Sequence, residues 1–400
     1  MTNTIGPCKG NMIGDGPSGK GLFPASGGKL KKILIVYFQR PPIIEYLQKA
    51  FKGRGIEARE FYSDSNNWFD QFVIRPINKT AHNLRIIPKN RFLFEAHPLC
   101  QLRYRNRKLI EEVDTFCPDL VLLIRGYGYQ HGTLAEVRRR CKLFGWWIER
   151  EEGAEEAIAE AALFDYYFFL HSSAVTLAKK QGLGKIGHIP HSVDTGVFRP
   201  LGLAKKYDWS FVGGWSEARE EFIRKAVAVS SNGALYGPKW KKKLQAAGKA
   251  AKGIAKGDSI WGDSLVRLYN ESRVVINHTH WGLGGGRERT GLTMRVLEAA
   301  ACGSCMLTDG SADLTSLVTP GKDVVLYKDL DDFSAELKRL LTNDGLRERI
   351  ARTGMEDIRK KFSYDDIVDK IMMRYEDLVG DRGQRKGNVS GAGGDEAHER

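Results

Sequence analysis

Residues 274–309 read VVINHTHWGLGGGRERTGLTMRVLEAAACGSCMLTD, and their pattern decides the fold. The apolar, β-branched run Val274 to Asn277 predicts a buried strand, and Thr293 to Ala301 carries apolar residues at helical spacing. Ser304 to Thr308 is apolar again and reads as the next strand. Between the first strand and the helix stand Gly282, Gly284, Gly285 and Gly286. Glycines let backbone N–H groups come close to a ligand, and a helix N-terminus favours negative charge at that place. Arg287, Arg289 and Arg295 add planar donors that match phosphate oxygens. Glu298 follows Arg295 by three residues on the same helix face, where a carboxylate can accept two hydroxyl hydrogen bonds, as from a ribose. A plain surface loop and a helix with an Arg–Glu pair fit the same spacing.

The alternation extends outward in both directions. Upstream, Lys32 to Phe38, Ile56 to Phe61, Leu120 to Arg125, Gly145 to Glu149, Tyr166 to Leu170 and Lys185 to Ile189 read as strands. They are separated by helical patterns at Ile43 to Phe51, Leu99 to Val113, Leu134 to Leu143, Ala154 to Leu163 and Ser173 to Gln181. A second set starts with strands Trp209 to Val212 and Ala234 to Tyr236 and helices Ser216 to Val229 and Ser264 to Ser272. Leu314 to Val318 and Val324 to Tyr327 complete its strand rhythm before helices near Leu330 to Thr342, Gly345 to Lys361 and Tyr364 to Leu378. Alternation of this kind implies parallel sheets covered on both faces. It runs about twice as long as one doubly wound domain needs, so two α/β Rossmann-like domains in tandem are expected. The expected division is a disordered leader at 1–31, a first domain at 32–190, a second at 191–362, a crossover helix at 363–379 and a disordered tail at 380–400.

The chain has 400 residues, 42% hydrophobic and 28% charged, which excludes fibrous and wholly disordered classes. No apolar run approaches the ~18 residues of a membrane-spanning helix. The net charge of +13 predicts attraction to something anionic: nucleic acid, a lipid surface or a phosphorylated substrate. The six cysteines are sparse and the N-terminus is polar and Gly-rich, so free thiols and a cytoplasmic location, or a peripheral one at the inner face of the membrane, are expected.

TMRVLEAAACGSCMLTD resembles the C-terminal signature of nucleotide-sugar glycosyltransferases with the two-domain GT-B fold, and is most similar to their CgeB-like group. YDWSFVGGWSEAREEFI (Tyr207 to Ile223), LYGPKW (Leu235 to Trp240), IPHSVDTGVFRP (Ile189 to Pro200) and GMEDIRKKFSYDDIVDKIM resemble other segments of that group in order. The resemblance implies two Rossmann-like domains facing across a cleft, with the last helix crossing back to the first. It implies a nucleotide-sugar donor in the second domain, with UDP or GDP favoured as its base, an acceptor on the first, and no cofactor or essential metal. Glu298 matches the residue that holds the ribose, and Arg219 a basic residue near the diphosphate. Gly213 and Gly214 match backbone that approaches the diphosphate, Tyr236 and Gly237 lie where the base packs, and Arg295 matches the Arg before the Glu. Gly285, Gly286, Arg287 and Arg289 would complete the donor loop. The wider superfamily often has a second Glu eight residues before the ribose Glu; Thr290 stands there, with Glu288 off register.

A base for an inverting transfer is sought after the first-domain strands, where Glu151, Glu152 and His171 are candidates. A solvated helix start or a satisfied core histidine fits them too. A nucleotide-sugar epimerase of the same fold, or a catalytically inactive protein that binds nucleic acid or an anionic surface, are the alternatives. Arg75 to Lys108 is rich in Lys and Arg with only Glu95 opposing, which suits an anionic acceptor, a membrane or nucleic acid. Lys239 to Lys256 places Trp240, Leu244, Ala247, Ala251 and Ile254 on one helical face above many lysines, as a membrane-surface helix or a solvated helical insertion would. Gly14 to Lys20 has P-loop spacing but no strand before it and Gly21 where a Ser or Thr is needed. Cys302 and Cys305 have redox spacing at the wrong helix pole, so a tight Gly turn is expected there.

Overall fold

Each of the two strand-helix runs closes into its own six-stranded parallel sheet. The computed structural model describes residues 28–38, 42–63, 67–88, 91–124, 128–149, 153–244, 253–279 and 290–387. The leader and tail, the P-loop spacing at 14–20, Glu151, Glu152 and the glycine loop at 280–289 lie outside those residues, apart from 28–31 and 380–387. By contacts the chain divides into two units. One spans the residues up to Phe169, Ala174–His188 and Ile367 onward, and the other spans Leu170–Ser173 and Ile189–Asp366.

The first run is β1 (Lys32–Tyr37), α1 (Ile43–Gly53), β2 (Glu57–Tyr62), a π-helical turn Asp70–Ile74 leading into α2 (Arg75–Asn83), α3 (Gln101–Phe116), β3 (Leu120–Ile124), α4 (His131–Arg140), β4 (Lys142–Trp147), α5 (Ala154–Ala161), β5 (Tyr166–Phe169), α6 (Ser172–Lys180) and β6 (Ile186–His188). Its sheet order is β2-β1-β3-β4-β5-β6. Strands β3 and β4 are buried along their whole length, as expected where helices cover both faces. The last helix, given below, rejoins this unit from Ile367, and its Asp369 accepts from Arg54 Nε at 2.6 Å at the end of α1.

The second run is β7 (Tyr207–Val212), α7 (Glu217–Val229), β8 (Gly233–Tyr236), α8 (Trp240–Leu244), β9 (Ala255–Gly257), α9 (Gly262–Glu271), β10 (Ser272–Asn277), α10 (Met294–Ala301), β11 (Cys305–Asp309), α11 (Ala312–Leu317), β12 (Val325–Tyr327), α12 (Leu330–Thr342), α13 (Asp344–Lys361) and α14 (Tyr364–Gly387). The order β12-β11-β10-β7-β8-β9 has one reversal: the chain moves outward from β7 to β9, then returns to place β10 on the other side of β7. The core behind this sheet is aromatic, with Trp209, Phe211, Phe222, Trp240 and Phe333 fully buried.

Two segments depart from the sequence expectation. Leu314 to Val318 belongs mostly to helix α11, because the Ser311 hydroxyl caps it by accepting from Leu314 N at 3.2 Å. Lys239 to Lys256 is not one amphipathic helix: α8 stops at Leu244 and Ala255 opens β9. Its large apolar residues Trp240, Leu244 and Ile254 belong to the core of the unit, while Ala247 and Ala251 lie outside the described residues. Burying an indole outweighs the weak helical pattern of an Ala-rich, Gly-interrupted stretch.

Candidate functional site

In an open parallel sheet, ligands bind beyond the carboxyl ends of the strands where the strand order reverses, since neighbouring loops there diverge and leave a crevice. In the second unit that point lies between β7 and β10, which pair directly through Val274 and Trp209. The loop after β7 is Gly213-Gly214-Trp215-Ser216, and the loop after β10 begins His278-Thr279.

Arg219, in the first turn of α7, joins these two loops. Its Nε donates to the His278 carbonyl at 3.1 Å and its Nη1 to the Gly214 carbonyl at 3.0 Å. Both of these acceptors are carbonyl oxygens, and they hold the guanidinium plane across the two loops. The Ser216 hydroxyl caps α7 by accepting from Arg219 N, so the helix N-terminus and the guanidinium share one corner. Arg295 shares this ring, for both guanidinium groups stand over Phe211, at 5.4 Å for Arg219 and 5.3 Å for Arg295. Arg295 also donates to Asn277 Oδ1 at the end of β10.

The glycines allow this approach. Gly213 N donates to the Tyr236 carbonyl at 2.8 Å, and Trp240 Nε1 to the Gly213 carbonyl at 2.6 Å, so the loops after β7 and β8 lie backbone to backbone. Gly237 has φ +153°, and a Cβ there would run into the Gly213 carbonyl. Gly214 is different, since a Cβ would meet only Pro238 at ordinary contact distance. Tyr236 ends β8 half-buried beside them.

Glu298, expected to hold a ribose, lies on α10 and is 9% exposed. Burial pushes its carboxyl up to about 7, against the lowering influence of Arg295 and of a hydrogen bond with the fully buried Tyr269. Around it the end of β10 is fixed by groups that the sequence did not single out. Asn277 Nδ2 donates to Thr308 Oγ1 at 2.9 Å, Tyr327 Oη donates to the Asn277 carbonyl at 3.0 Å, and Tyr327 Oη lies 2.7 Å from His278 Nδ1. Asp309, the last residue of β11, accepts from Thr279 N at 2.9 Å and anchors the entry to the glycine loop. Its place at the end of a buried strand in the opening stretch was the available signal.

His171 belongs by contacts to the second unit and is fully buried. Its Nδ1 lies 3.4 Å from Thr290 Oγ1, which is 2.7 Å from Ser173 Oγ. Gly291, at φ +91°, lies against the His171 ring so closely that a Cβ would overlap it. Asp313 accepts from Gly291 N at 2.6 Å and Ser172 N at 3.2 Å. Thr290, standing where a superfamily Glu is common, is thus part of a hydroxyl and imidazole cluster that holds the exit of the glycine loop. His191 Nδ1 is buried with no hydrogen-bond partner, and burial, with His171 nearby, lowers its imidazole to about 4.

Cys100, Cys141, Cys302 and Cys305 are free, but Cys117 is disulfide-bonded, which corrects the expectation of free thiols throughout. Burial pushes the Cys302 and Cys305 thiols up to about 12, and Gly303 between them turns at φ +76°, so the pair is a buried turn and no redox centre. Asp329 and Asp331 have Asp-x-Asp spacing and serve as a helix cap. Asp329 Oδ1 accepts from Asp331 N and Asp332 N, and Asp331 pairs with Lys225 at 2.7 Å.

With this geometry in place, the fold follows: two doubly wound parallel sheets, the second with a glycine-lined switch point, match the GT-B fold. Residues 219–373 match a family model described as glycosyl transferase-like, beginning at Arg219 itself. No curated protein sequence matches the chain. Sucrose-phosphate synthase from Thermosynechococcus elongatus is similar in structure, with 13% identity, TM-score 0.61 and 88% of this chain and 99% of that chain covered. A glycosyltransferase from Rickettsia africae has 10% identity and TM-score 0.62 over the same shares. Anabaena HepE, solved in complex with UDP-glucose, has 12% identity and TM-score 0.58, again covering 88% and 99%.

Proposed function

We propose that this chain is a glycosyltransferase that binds a nucleoside-diphosphate sugar, with UDP as the favoured nucleotide, at the β7–β10 switch point of its second unit and passes the sugar to a separate acceptor. The observation that carries the reading is Arg219, oriented by two carbonyls at the N-terminus of α7 beside Arg295. Departure of a nucleoside diphosphate develops negative charge on the diphosphate. Fixed guanidinium groups and helix N–H groups stabilise that charge without reorganising, which is the largest common source of rate in such transfers. UDP in the named complexes supports the base, and transferase names among the structural neighbours weigh against the epimerase and binding-protein alternatives. The finer CgeB-like placement rests on the pattern of residues 281–309.

The reading takes the transfer as metal-independent, with the guanidinium groups of Arg219 and Arg295 in the charge-stabilising part. Glu298, once ionised, would accept the ribose hydroxyls.

The test is a thermal shift with UDP, GDP, dTDP and ADP, each with and without EDTA. A ligand at about a hundred times its Kd stabilises by roughly 2.7 kcal/mol, which raises Tm by about 2–4 °C for a protein of this size. A shift with UDP that survives EDTA is expected. No shift with any diphosphate overturns the reading, and a shift that EDTA abolishes overturns its metal-independent form.

A further inference from the structure

The large apolar side chains that the described residues expose are concentrated in one short stretch of the first unit. Trp68 is 66% exposed, Phe72 69%, Leu84 66%, Ile86 69% and Phe92 56%. These side chains are not part of the hydrophobic cluster built by β1, β3–β6 and the helices around them, and the stretch buries only its own Ile74 and Ala81 among its apolar residues. Neither is it a loose loop. Asn78 on α2 exchanges hydrogen bonds with Leu93, donating to its carbonyl at 3.1 Å and accepting from its N–H at 2.6 Å. His82 Nε2 lies 2.7 Å from the Arg91 carbonyl, with its ring edge-on to Phe92 at 5.3 Å, and Arg103 Nε donates to the Glu95 carbonyl at 3.2 Å. These bonds strap residues 91–95 onto α2 and the start of α3, over a cavity of about 1010 Å³ whose lining includes Ile74, Lys79, Phe92, Leu93, Leu102 and Arg103.

The same surface is cationic. Arg75, Lys79, Arg85, Arg91 and Arg103 are exposed on it. The opposing acids among the described residues of the stretch are Asp70 and Glu95, and Asp70 is buried against Arg75 Nε at 2.6 Å. Exposed apolar side chains on one surface mark an interaction site. Which partner fits is decided by the combination. Aliphatic Leu84 and Ile86 gain nothing from stacking on bases, as an RNA surface would require. The core of a protein interface is depleted of charged residues, whereas cations of one sign stand among these apolar tips. Apolar tips among cations of one sign match the headgroup boundary of an anionic bilayer, where hydrocarbon takes the tips and lipid phosphates take the cations. No helix among the described residues is long and apolar enough to cross a membrane, so attachment here would be lateral.

We propose that residues 68–103 dock this protein on an anionic lipid bilayer, with Trp68, Phe72, Leu84, Ile86 and Phe92 entering the interface and Arg75, Lys79, Arg85, Arg91 and Arg103 binding lipid phosphates. The inference is independent of the donor site and replaces the Lys239 to Lys256 segment as the membrane-facing element.

The experiment is flotation of the full chain with phosphatidylcholine vesicles and with vesicles that also contain phosphatidylglycerol. Two variants are compared: Phe72→Ala with Leu84→Ala and Ile86→Ala, and Arg85→Glu with Arg91→Glu. The natural chain should float with the anionic vesicles alone, and each variant should bind them at least about tenfold more weakly. The melting curves and the response to UDP should be unchanged, since every substituted side chain is exposed. Equal partition onto both vesicle types, retention of binding in both variants, or absence of flotation altogether overturns the proposal. So does an apolar variant that abolishes self-association in sedimentation while vesicle binding persists, which would assign the patch to a second copy of this chain. A single-stranded RNA that displaces the chain from vesicles of equal charge would overturn it in favour of nucleic acid.

Discussion

Arg219 donates to the carbonyl of His278, fifty-nine residues away, at 3.1 Å, and so ties the loop after β7 to the loop after β10 across the point where the strand order reverses. The bond does two things. It joins the two loops on the side of α7, and it fixes the guanidinium at the switch point, where the proposed diphosphate would lie. Arg219→Ala removes both. Charge-assisted hydrogen bonds contribute about 1.5–3 kcal/mol, so affinity for UDP by calorimetry should fall by about 10–100-fold. Arg219→Lys should restore little, because an ammonium cannot span two carbonyls as the guanidinium fork does. UDP affinity unchanged in the alanine variant would remove Arg219 from the site.

Gly237 and Gly214 separate what the glycines do for the fold from what they do for a ligand. Gly237→Ala forces a Cβ into the Gly213 carbonyl at φ +153°, and should cost about 1–3 kcal/mol or more, read as a lowered Tm. Gly214→Ala meets only Pro238 and should melt as the natural chain does. Its UDP affinity should nevertheless fall if backbone and diphosphate touch there. A Gly214→Ala chain that binds UDP normally places the diphosphate elsewhere.

Glu298 makes stability depend on pH in a stated direction. Its carboxyl titrates at about 7 in the folded chain against an ordinary value of 4.5, so the native state holds the proton more tightly. The contribution is complete below about pH 4.5 and is lost as pH rises toward 7, on the order of 3 kcal/mol across the window. Arg295, Tyr269 and Cys302 are the titratable groups that face it. Glu298→Gln should flatten this part of the Tm profile between pH 4.5 and 8. If the carboxylate holds the ribose, UDP affinity should rise through pH 7 in the natural chain and stay level in the glutamine variant.

Asp313 holds the exit of the glycine loop through the backbone N–H groups of Gly291 and Ser172. Asp313→Ala leaves the buried Gly291 N–H unsatisfied, at about 1–3 kcal/mol, and removes a second bond from the half-buried Ser172 N–H. A Tm fall of several degrees is expected, together with faster proteolysis near residues 280–291. Thr290→Val keeps the volume and loses the hydroxyl contacts with Ser173 and His171, so its effect should be smaller, about 1 kcal/mol. Equal effects from the two variants would show that Asp313 does not anchor the loop.

Much of the molecule is legible in local pattern. Buried parallel strands are continuous apolar runs, so Leu120 to Ile124 and Val274 to Asn277 stand out without any knowledge of their neighbours. Caps are local too, and Ser216 before α7 announces the helix that carries Arg219. The segment 239–256 misled because Ala and Lys favour a helix weakly, while burial of Trp240 and Ile254 on different elements is a tertiary event. The apolar tips at 68–103 were invisible as a surface, since a Leu or Phe reads as core until the core is known to be full without it.

What the sequence by itself determined is the two-sheet α/β architecture and the residue types gathered at 213–219 and 290–298, because periodicity, glycine spacing and capping act within a few residues. What only the tertiary structure decided is which of those residues meet. The return of the chain from β9 to β10 sets β10 beside β7, brings His278 to Arg219, and seals Glu298 against Tyr269. Such contacts depend on how distant apolar faces pack and on which loops close, and neither strand pairing nor the desolvation that shifts a carboxyl is written in any local run of residues.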